Sequence, residues 1–261
     1  MPTKLNEIMA RTESLVRDRK SRADFKSLER QAADHTPRGF AAALRAASNT
    51  RPAVIAECKR ASPSKGLLRE HYRPAEIARA YQTGGAAAIS VLTEPDFFSG
   101  SLADLTAVSS AVAIPVLRKD FMLDEFQILE ARAAGADAIL LIVAALLDDQ
   151  MRELALAARN ADLDILCEVH NREELTRALD LGCQMLGVNC RNLKTLEVDL
   201  DVHTDLAEFL PQDIVRVAES GIRTLADIER LLGEGYNAFL VGEALMSQPD
   251  PGAGLAQLIG R

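Results

Sequence analysis

Val54-Ile55-Ala56-Glu57-Cys58-Lys59 is a short apolar run that ends on a carboxylate and an ammonium group. Six later apolar runs repeat this layout. They end on Glu94, on Lys119, on Glu168, on Asn189 with Arg191, on Glu219 with Ser220, and on Gly242 with Glu243. Continuous apolar runs are typical of parallel strands covered on both faces. The layout therefore predicts that polar groups gather at the carboxyl ends of one parallel sheet, as a candidate active site.

Strand-like and helical segments alternate from residue 53 onward. The strands are predicted near 53–59, 87–92, 114–119, 137–143, 163–168, 185–189, 214–219 and 237–242. The helices between them are predicted near 74–82, 102–110, 124–134, 148–160, 172–181, 203–210 and 225–233. This alternation predicts a closed (β/α)8 TIM barrel of the α/β class. An open doubly wound sheet is the alternative, but no Gly-x-Gly-x-x-Gly follows an early strand.

Residues 1–50 precede the barrel and have a helical pattern throughout. Apolar residues from Leu5 to Val16 recur at helical spacing, and further helices are predicted at 21–33 and 40–47. The apolar face of the first helix predicts that it packs against another part of the molecule. Because the 261 residues contain no Pro/Gly/Ser-rich linker, we expect one domain, 1–261, with 1–50 as an N-terminal helical extension.

Composition excludes several classes of function. The net charge of −8 argues against a nucleic-acid surface, which needs a clustered basic stripe. The longest apolar run, 138–147, is well short of the roughly 20 residues that a membrane helix needs. The four cysteines form no Cys-x-x-Cys pair and have the pattern of free thiols, which predicts a reducing, cytoplasmic location. The histidines show no metal-ligand spacing, so we expect no metal.

Two lysines are candidate proton donors. Glu57 and Lys59 lie two residues apart on one strand, so their side chains share a face and one can set the charge state of the other. A structural ion pair is the simpler interpretation. Lys119 lies between Arg118 and Asp120, which alternation sends to the opposite face. A desolvated lysine near other cations has a lowered pKa and suits general acid catalysis, although an exposed terminal lysine fits equally well.

Carboxylates and an amide end the later strands. Glu168 and Glu219 follow apolar residues, so each should meet a cation or carry a proton, with helix capping as the alternative for Glu168. Asn189 and Arg191 offer an amide and a cation to a polyhydroxylated or anionic ligand. If the strand continues through His170, alternation points that side chain away from Glu168.

Two glycine-containing turns are candidate phosphate sites. Ser220-Gly221 and Gly242-Glu243 follow the last two predicted strands, where many barrels bind phosphate. Glycine has no Cβ to keep an anion from the backbone N–H groups. The alternative is that each glycine is present only because the chain makes a tight turn there, but this does not explain why both strand ends carry one. The loop 60–66 after Lys59 is cationic, contains Gly and Ser, and also suits an anion.

Taken together, these motifs resemble the indole-3-glycerol phosphate synthase family over nearly the whole chain. They are Ile55-Ala-Glu57-Cys-Lys59-Arg-Ala-Ser62-Pro-Ser64, Ser90-Val-Leu-Thr-Glu94 with Phe98-Ser-Gly100, Leu117-Arg-Lys119-Asp-Phe121, Cys167-Glu168-Val-His170, Gly187-Val-Asn189-Cys-Arg191-Asn-Leu193-Lys-Thr, Ala218-Glu219-Ser220-Gly221-Ile and Leu240-Val-Gly242-Glu243-Ala-Leu-Met246. Cys58 stands where the family frequently has an aromatic residue, and Cys190 where it frequently has Asn. Alternation should keep both side chains away from the substrate.

The resemblance implies ring closure of 1-(2-carboxyphenylamino)-1-deoxyribulose 5-phosphate to indole-3-glycerol phosphate in tryptophan biosynthesis, with loss of CO2 and water and with no cofactor. It implies that Lys119 protonates the ketone, that Lys59 holds the substrate carboxylate with help from Glu57, and that Glu168 is the dehydration base. Further implied roles are orientation of hydroxyls and lysines by Asn189, Arg191 and Glu219, phosphate binding by Ser62, Ser220, Gly221, Gly242 and Glu243, and contact with the aromatic ring by Phe98, Phe121, Leu140 and Leu193.

Two other functions remain as alternatives. A phosphoribosylanthranilate isomerase is usually assigned a Cys/Asp acid-base pair, whereas this chain has Glu57, Lys59 and Lys119. A non-catalytic phosphate-binding barrel would be expected to lose one of the inward charged residues, and all are present. The expected partner is a small phosphosugar that bears a carboxyphenylamino group, with no nucleic acid and no membrane. We expect a monomer, with association with other pathway enzymes left open.

Overall fold

Eight parallel strands close a barrel in the computed structural model, which describes residues 3–261. The strands are β1 Ala53–Cys58, β2 Ala88–Leu92, β3 Val116–Lys119, β4 Ala138–Ile142, β5 Asp164–Val169, β6 Met185–Asn189, β7 Val215–Glu219 and β8 Ala238–Val241. Consecutive strands are neighbours, and β8 pairs with β1, with Ala238 opposite Ala53. The (β/α)8 prediction is confirmed, and the open-sheet alternative is excluded.

Helices follow the strands on the outside of the barrel. They are α4 Pro74–Gly84, α5 Leu102–Ala111, α6 Glu125–Ala133, α7 Asp148–Asn160, α8 Arg172–Asp180, α9 Asp201–Ala207, α10 Leu225–Gly233, α11 Glu243–Met246 and α12 Pro251–Leu258. A short hairpin of Ala61–Ser62 and Gly66–Leu67 lies in the loop after β1. The sequence did not predict the hairpin or α12, because their patterns are short and α12 is rich in glycine and alanine.

Alternation along the strands separates two apolar layers. Outward residues such as Val54 and Ala56 belong to the layer between strands and helices. Inward residues such as Ile55, Leu117 and Leu166 fill the barrel interior. Since these three residues are followed two positions later by Glu57, Lys119 and Glu168, a charged layer lies directly above this part of the core.

The N-terminal extension runs from one end of the barrel to the other. It consists of α1 Lys4–Arg22, α2 Phe25–Asp34 and α3 Phe40–Ser48. Leu5 and Ile8 of α1 join the interior layer at the mouth, and Phe40 and Leu44 of α3 join it at the amino ends of the strands. The prediction that the first helix packs its apolar face is confirmed. No helix among residues 3–261 has both the length and the apolar character to cross a membrane.

Asp137 ties the extension to the base of the barrel. This fully buried carboxylate accepts hydrogen bonds from Arg38 N (2.8 Å), Arg38 Nε (2.9 Å) and Val116 N (2.6 Å). Breaking a buried ion pair by removing one partner costs about 3–5 kcal/mol. We therefore expect Asp137→Ala to lower the melting temperature by roughly 6–20 °C, since 1 kcal/mol corresponds to about 2–4 °C at this size. Calorimetry measures the shift.

The matched control is Asp149→Ala, because the Asp149 carboxylate is 92% exposed in its ion pair with Arg152. Surface substitutions of this kind usually change stability by at most about 0.5 kcal/mol. Equal melting temperatures for the two variants would contradict the anchoring role of Asp137.

Cys167 and Cys183 form a disulfide with Cα atoms 6.5 Å apart. The expectation that all cysteines are free thiols is therefore wrong for this pair, whereas Cys58 and Cys190 are free and buried. Alternation turns Cys167 outward from β5, into the layer where Cys183 also lies. The cytoplasmic location was inferred from free thiols, so it has lost part of its support and stays a prediction.

Candidate active site

One cavity lies at the carboxyl ends of the barrel strands, and all the site residues predicted from the sequence line it. They are Glu57, Lys59, Ser62, Phe98, Lys119, Phe121, Leu140, Glu168, Asn189, Arg191, Leu193, Glu219, Ser220, Gly221, Gly242 and Glu243. The fold thus brings together groups that are almost 190 residues apart in sequence. Their individual roles remain predictions.

Lys119 lies between two carboxylates from opposite parts of the wall. Its Nζ is 3.2 Å from Glu168 Oε2 and 3.0 Å from Glu219 Oε2. Arg118 points outward and pairs with Asp120 at 2.8 Å. Burial alone would lower the pKa of Lys119, but Glu219 and Glu168 outweigh it and raise that pKa well above its usual value. The expected lowering by neighbouring cations is wrong, because alternation carries Arg118 away from the cavity.

The two carboxylates beside Lys119 differ in charge. Burial would raise the pKa of Glu168, but Lys119 and then His170 hold it well below its usual value. Burial raises the pKa of Glu219 to about 7, with Lys119 opposing and Glu168 adding to the rise. Glu219 Oε1 is buried with no hydrogen-bond partner among the described residues. The site therefore holds one carboxylate that its cations stabilise as an anion and one whose protonated form is favoured by burial.

Helix capping does not account for Glu168. The Asn171 side chain caps α8 by accepting a hydrogen bond from Glu174 N at 2.9 Å. Glu168 is left to face the cavity and Lys119. We expected each buried carboxylate to meet a cation or to carry a proton, and both Glu168 and Glu219 meet the cation Lys119.

Gly187 makes room for the Glu219 carboxylate. A Cβ atom at this position of β6 would collide with Glu219 Oε1. We expect Gly187→Ala to push this carboxylate off Lys119 and to lower kcat by roughly tenfold to a hundredfold, because small displacements of catalytic groups are costly. Steady-state kinetics measure the loss. Gly233→Ala is the control, since a Cβ there meets nothing within 4 Å; equal kcat values for both variants would refute the spacing argument.

Glu57 and Lys59 form a close pair on the adjacent wall. Lys59 Nζ lies 2.5 Å from Glu57 Oε1, and only Lys59 retains appreciable exposure. Gly242 makes this arrangement possible, because a Cβ there would collide with the Glu57 carboxylate. The prediction that both side chains share a face is confirmed. Gly242 thus leaves room for the Glu57 carboxylate, a role that its assignment to the phosphate site did not include.

Asn189, Ser220 and Arg191 form a hydrogen-bonded group on the far side. Asn189 Oδ1 accepts from Ser220 Oγ at 2.8 Å and from Arg191 N at 3.0 Å. The Arg191 guanidinium donates to the Leu196 carbonyl at 3.0 Å and lies 3.6 Å from Glu243. The loop 192–198 therefore fixes the direction of this cation toward the cavity.

Apolar side chains cover one side of the cavity. The rings of Phe98 and Phe121 are 6.5 Å apart and tilted, and Leu140 and Leu193 lie beside them. Leu5 and Ile8 of α1 also line the cavity. Sequence reasoning missed them as site residues, although the apolar face of the first helix was the pattern that could have revealed them.

Glu94 holds the loop that carries Phe98, and its role was also missed. Its carboxylate accepts hydrogen bonds from the backbone N–H groups of Asp96 (3.0 Å), Phe97 (2.7 Å) and Phe98 (3.1 Å). Three such bonds fix the loop across the mouth. Glu94 was recognised from the sequence only as the end of an apolar run and as part of the motif that it shares with Phe98, without a role of its own.

His170 does not follow the predicted alternation. Strand β5 ends at Val169, and the chain turns into the cap of α8. The ring Nε2 consequently lies 3.3 Å from Glu168 Oε1. The prediction that His170 points away from Glu168 is wrong because it assumed a strand one residue longer.

Residues 3–261 contain no group of three or more His, Cys, Asp or Glu side chains placed to hold a metal ion. The site as described consists of ammonium, carboxylate, amide and hydroxyl groups beside an apolar wall. Such groups can transfer protons and bind an anionic, partly aromatic ligand.

Comparison with known proteins gives a family and a fold. A family model described as indole-3-glycerol phosphate synthase matches residues 5–258. The chain is 52% identical over 260 residues to the indole-3-glycerol phosphate synthase of Koribacter versatilis (strain Ellin345), with 100% of both chains covered.

Solved barrels of other names are similar in fold. KGPDC from Streptococcus mutans has a TM-score of 0.62 at 11% identity, over 80% of this chain and 96% of that one. Thiamine phosphate pyrophosphorylase from Pyrococcus furiosus has a TM-score of 0.59 at 19% identity, over 81% and 95%. These identities support the barrel fold alone.

Proposed function

Because the chain belongs to the indole-3-glycerol phosphate synthase family, we propose that its barrel mouth closes the indole ring of 1-(2-carboxyphenylamino)-1-deoxyribulose 5-phosphate. The enzyme is a decarboxylating lyase of tryptophan biosynthesis, and we assign it to the carbon–carbon lyases that release CO2. The observation that carries the proposal is the Lys119 ammonium, which lies between Glu168 and Glu219. The rings of Phe98 and Phe121 line the same cavity.

The cavity offers a place for each part of this substrate. Phe98, Phe121, Leu140 and Leu193 flank the aromatic ring, and Lys59 binds its carboxylate. We place the phosphate on the side of the cavity away from the aromatic ring of the substrate. Ser62 supports this placement, because its buried Oγ has no hydrogen-bond partner among the described residues.

Two turns supply the rest of the phosphate site. Ser220 and Gly221 both have positive φ angles, 69° and 73°, which turn the chain sharply after β7. Gly242 and Glu243 stand where α11 begins, and the first N–H groups of a helix have no partner within it. The Glu243 carboxylate lies 3.6 Å from Arg191 and 4.0 Å from Lys65. We therefore assign its backbone N–H, and not its side chain, to the phosphate.

Ring closure begins with proton transfer at Lys119. The ring carbon that bears the carboxylate attacks the ketone carbon, and Lys119 protonates the ketone oxygen, which becomes a hydroxyl group. The attack leaves a positive iminium on the ring. This iminium takes up the electron pair released as CO2 departs, so the residues of the chain suffice as proton donors and no separate electron sink is needed.

Loss of water completes the indole. Glu168 removes a proton from the methylene carbon next to nitrogen, and the hydroxyl takes a proton from a lysine ammonium and leaves as water. Glu219, whose pKa is about 7, is suited to return a proton to Lys119 between turnovers. Asn189 and Arg191 orient the sugar hydroxyls.

A comparison of two phosphosugars tests this function. We expect stoichiometric CO2 release from the carboxyphenylamino-deoxyribulose phosphate, also in the presence of EDTA, and no conversion of phosphoribosylanthranilate. Isomerisation of phosphoribosylanthranilate without CO2 release from either compound would overturn the proposal in favour of the isomerase. Action as a cytoplasmic monomer, and association with other pathway enzymes, remain predictions from the sequence.

A further inference from the structure

His170 was not among the predicted site residues, and its ring lies between the carboxylates of Glu168 and Glu174. Its Nδ1 lies 2.9 Å from Glu174 Oε2 and its Nε2 lies 3.3 Å from Glu168 Oε1. The backbone N–H of His170 donates to the same Glu174 oxygen at 2.8 Å. Asn171 Nδ2 donates to the other Glu174 oxygen at 2.6 Å. The ring therefore sits in a fixed orientation at the junction of β5 and α8.

The surroundings of the ring favour its charged form. Nδ1 is hydrogen-bonded to Glu174 Oε2, whereas Nε2 is buried 3.3 Å from Glu168 Oε1 without a hydrogen bond to it. A neutral ring with its proton on Nδ1 would turn the Nε2 lone pair toward the Glu168 carboxylate, whereas an imidazolium presents positive charge to both carboxylates. Burial alone would lower the pKa of His170, but Glu168 and Glu174 outweigh it and raise that pKa to about 10. At neutral pH Glu168 thus faces two cations, Lys119 and His170.

Within residues 3–261, Glu219 has no equivalent second cation. Its contact is Lys119 at 3.0 Å, and its other carboxylate oxygen is buried without a partner among residues 3–261. Glu57 from β1 adds a further negative charge near both Lys119 and Glu219. Asn189 from β6 adds a neutral amide that favours the ionised form of Glu168. Of the two carboxylates that share Lys119, the one next to His170 is the better stabilised as an anion.

We propose that His170, fixed by Glu174, is a positioning residue that keeps Glu168 ionised as the base and leaves Glu219 as the carboxylate that carries a proton. This inference rests on the proposed function, because it assigns unequal roles to two carboxylates of that same site. His170 touches no substrate atom in this scheme and acts only through Glu168.

Kinetics of His170→Gln test the proposal. We expect kcat to fall by about tenfold with KM within about twofold, since removal of an orienting group affects the proton-transfer step. The acidic limb of the kcat–pH profile is expected to move up by about one pH unit, because a carboxylate that loses a neighbouring cation protonates at higher pH. His71→Gln, at an exposed histidine, is the matched control and should keep the wild-type profile.

A merely structural role would lower kcat equally at every pH, and an unshifted limb in folded His170→Gln would overturn the proposal. Imidazole NMR of the wild-type enzyme gives a second test that needs no turnover. The His170 signals, assigned by their loss in His170→Gln, should show two ring N–H groups at pH 8, and a neutral ring would overturn the proposal. Failure of the synthase function would instead appear as a wild-type enzyme that releases no CO2.

Discussion

Lys119→Ala is expected to lower kcat about a thousandfold while the substrate still binds. General acid catalysis contributes about a hundredfold to ten-thousandfold, and Lys119 Nζ is the ammonium closest to both Glu168 and Glu219. The proposed phosphate site at the turns Ser220-Gly221 and Gly242-Glu243 does not involve the Lys119 side chain, and neither does the ring contact with Phe98 and Phe121. Substrate binding should therefore survive. Kinetics measure kcat, and the fluorescence of the carboxyphenylamino group measures substrate affinity in a protein that contains no tryptophan.

A control separates chemistry from stability. Lys26→Ala changes an exposed lysine of α2 and should leave both kcat and affinity unchanged. Thermal unfolding of Lys119→Ala shows whether the two carboxylates left behind destabilise the fold. A kcat within about threefold of the wild-type value would remove Lys119 from the acid role.

Glu168→Gln is expected to lower the rate of indole formation about a hundredfold, a typical cost of losing a general base. Glutamine keeps the shape of the side chain but cannot accept a proton. Because the proposed role of Glu168 is in the dehydration step, CO2 release should continue ahead of product, and a decarboxylated intermediate should accumulate. Rapid quenching followed by mass spectrometry measures CO2, intermediate and product separately.

Glu173→Gln is the corresponding control, because Glu173 lies exposed on α8. It should behave as the wild type. If Glu168→Gln formed product at the normal rate, or if CO2 and product slowed together with no intermediate, the dehydration base would have to be another group.

The strand alternation made much of the site predictable. Side chains at even spacing along a strand share a face. Ile55, Leu117 and Leu166 point into the barrel, so the polar residues two or four positions later also point inward. These polar residues are Glu57, Lys59, Lys119 and Glu168. The same rule failed at His170, because strand β5 stops at Val169. Alternation fixes a direction only while the strand lasts, and strand ends are where functional residues concentrate.

Long-range contacts were the part that sequence patterns could not supply. The charge environment of Lys119 depends on Glu168 and Glu219, from strands 49 and 100 residues away. The pairing of Cys167 with Cys183 depends on the path of the chain between β5 and β6. The apolar face of α1 predicted packing, but only the closed barrel shows that its target is the mouth.

The most direct test of the proposed ring closure follows fluorescence after the purified protein is mixed with the carboxyphenylamino-deoxyribulose phosphate in the presence of EDTA. The chain contains no tryptophan, so indole-type emission that grows must come from product. We expect growth with equimolar CO2 for the wild-type enzyme, and a flat trace with bound substrate for Lys119→Ala. A flat trace for the wild-type enzyme with substrate bound would contradict the synthase function.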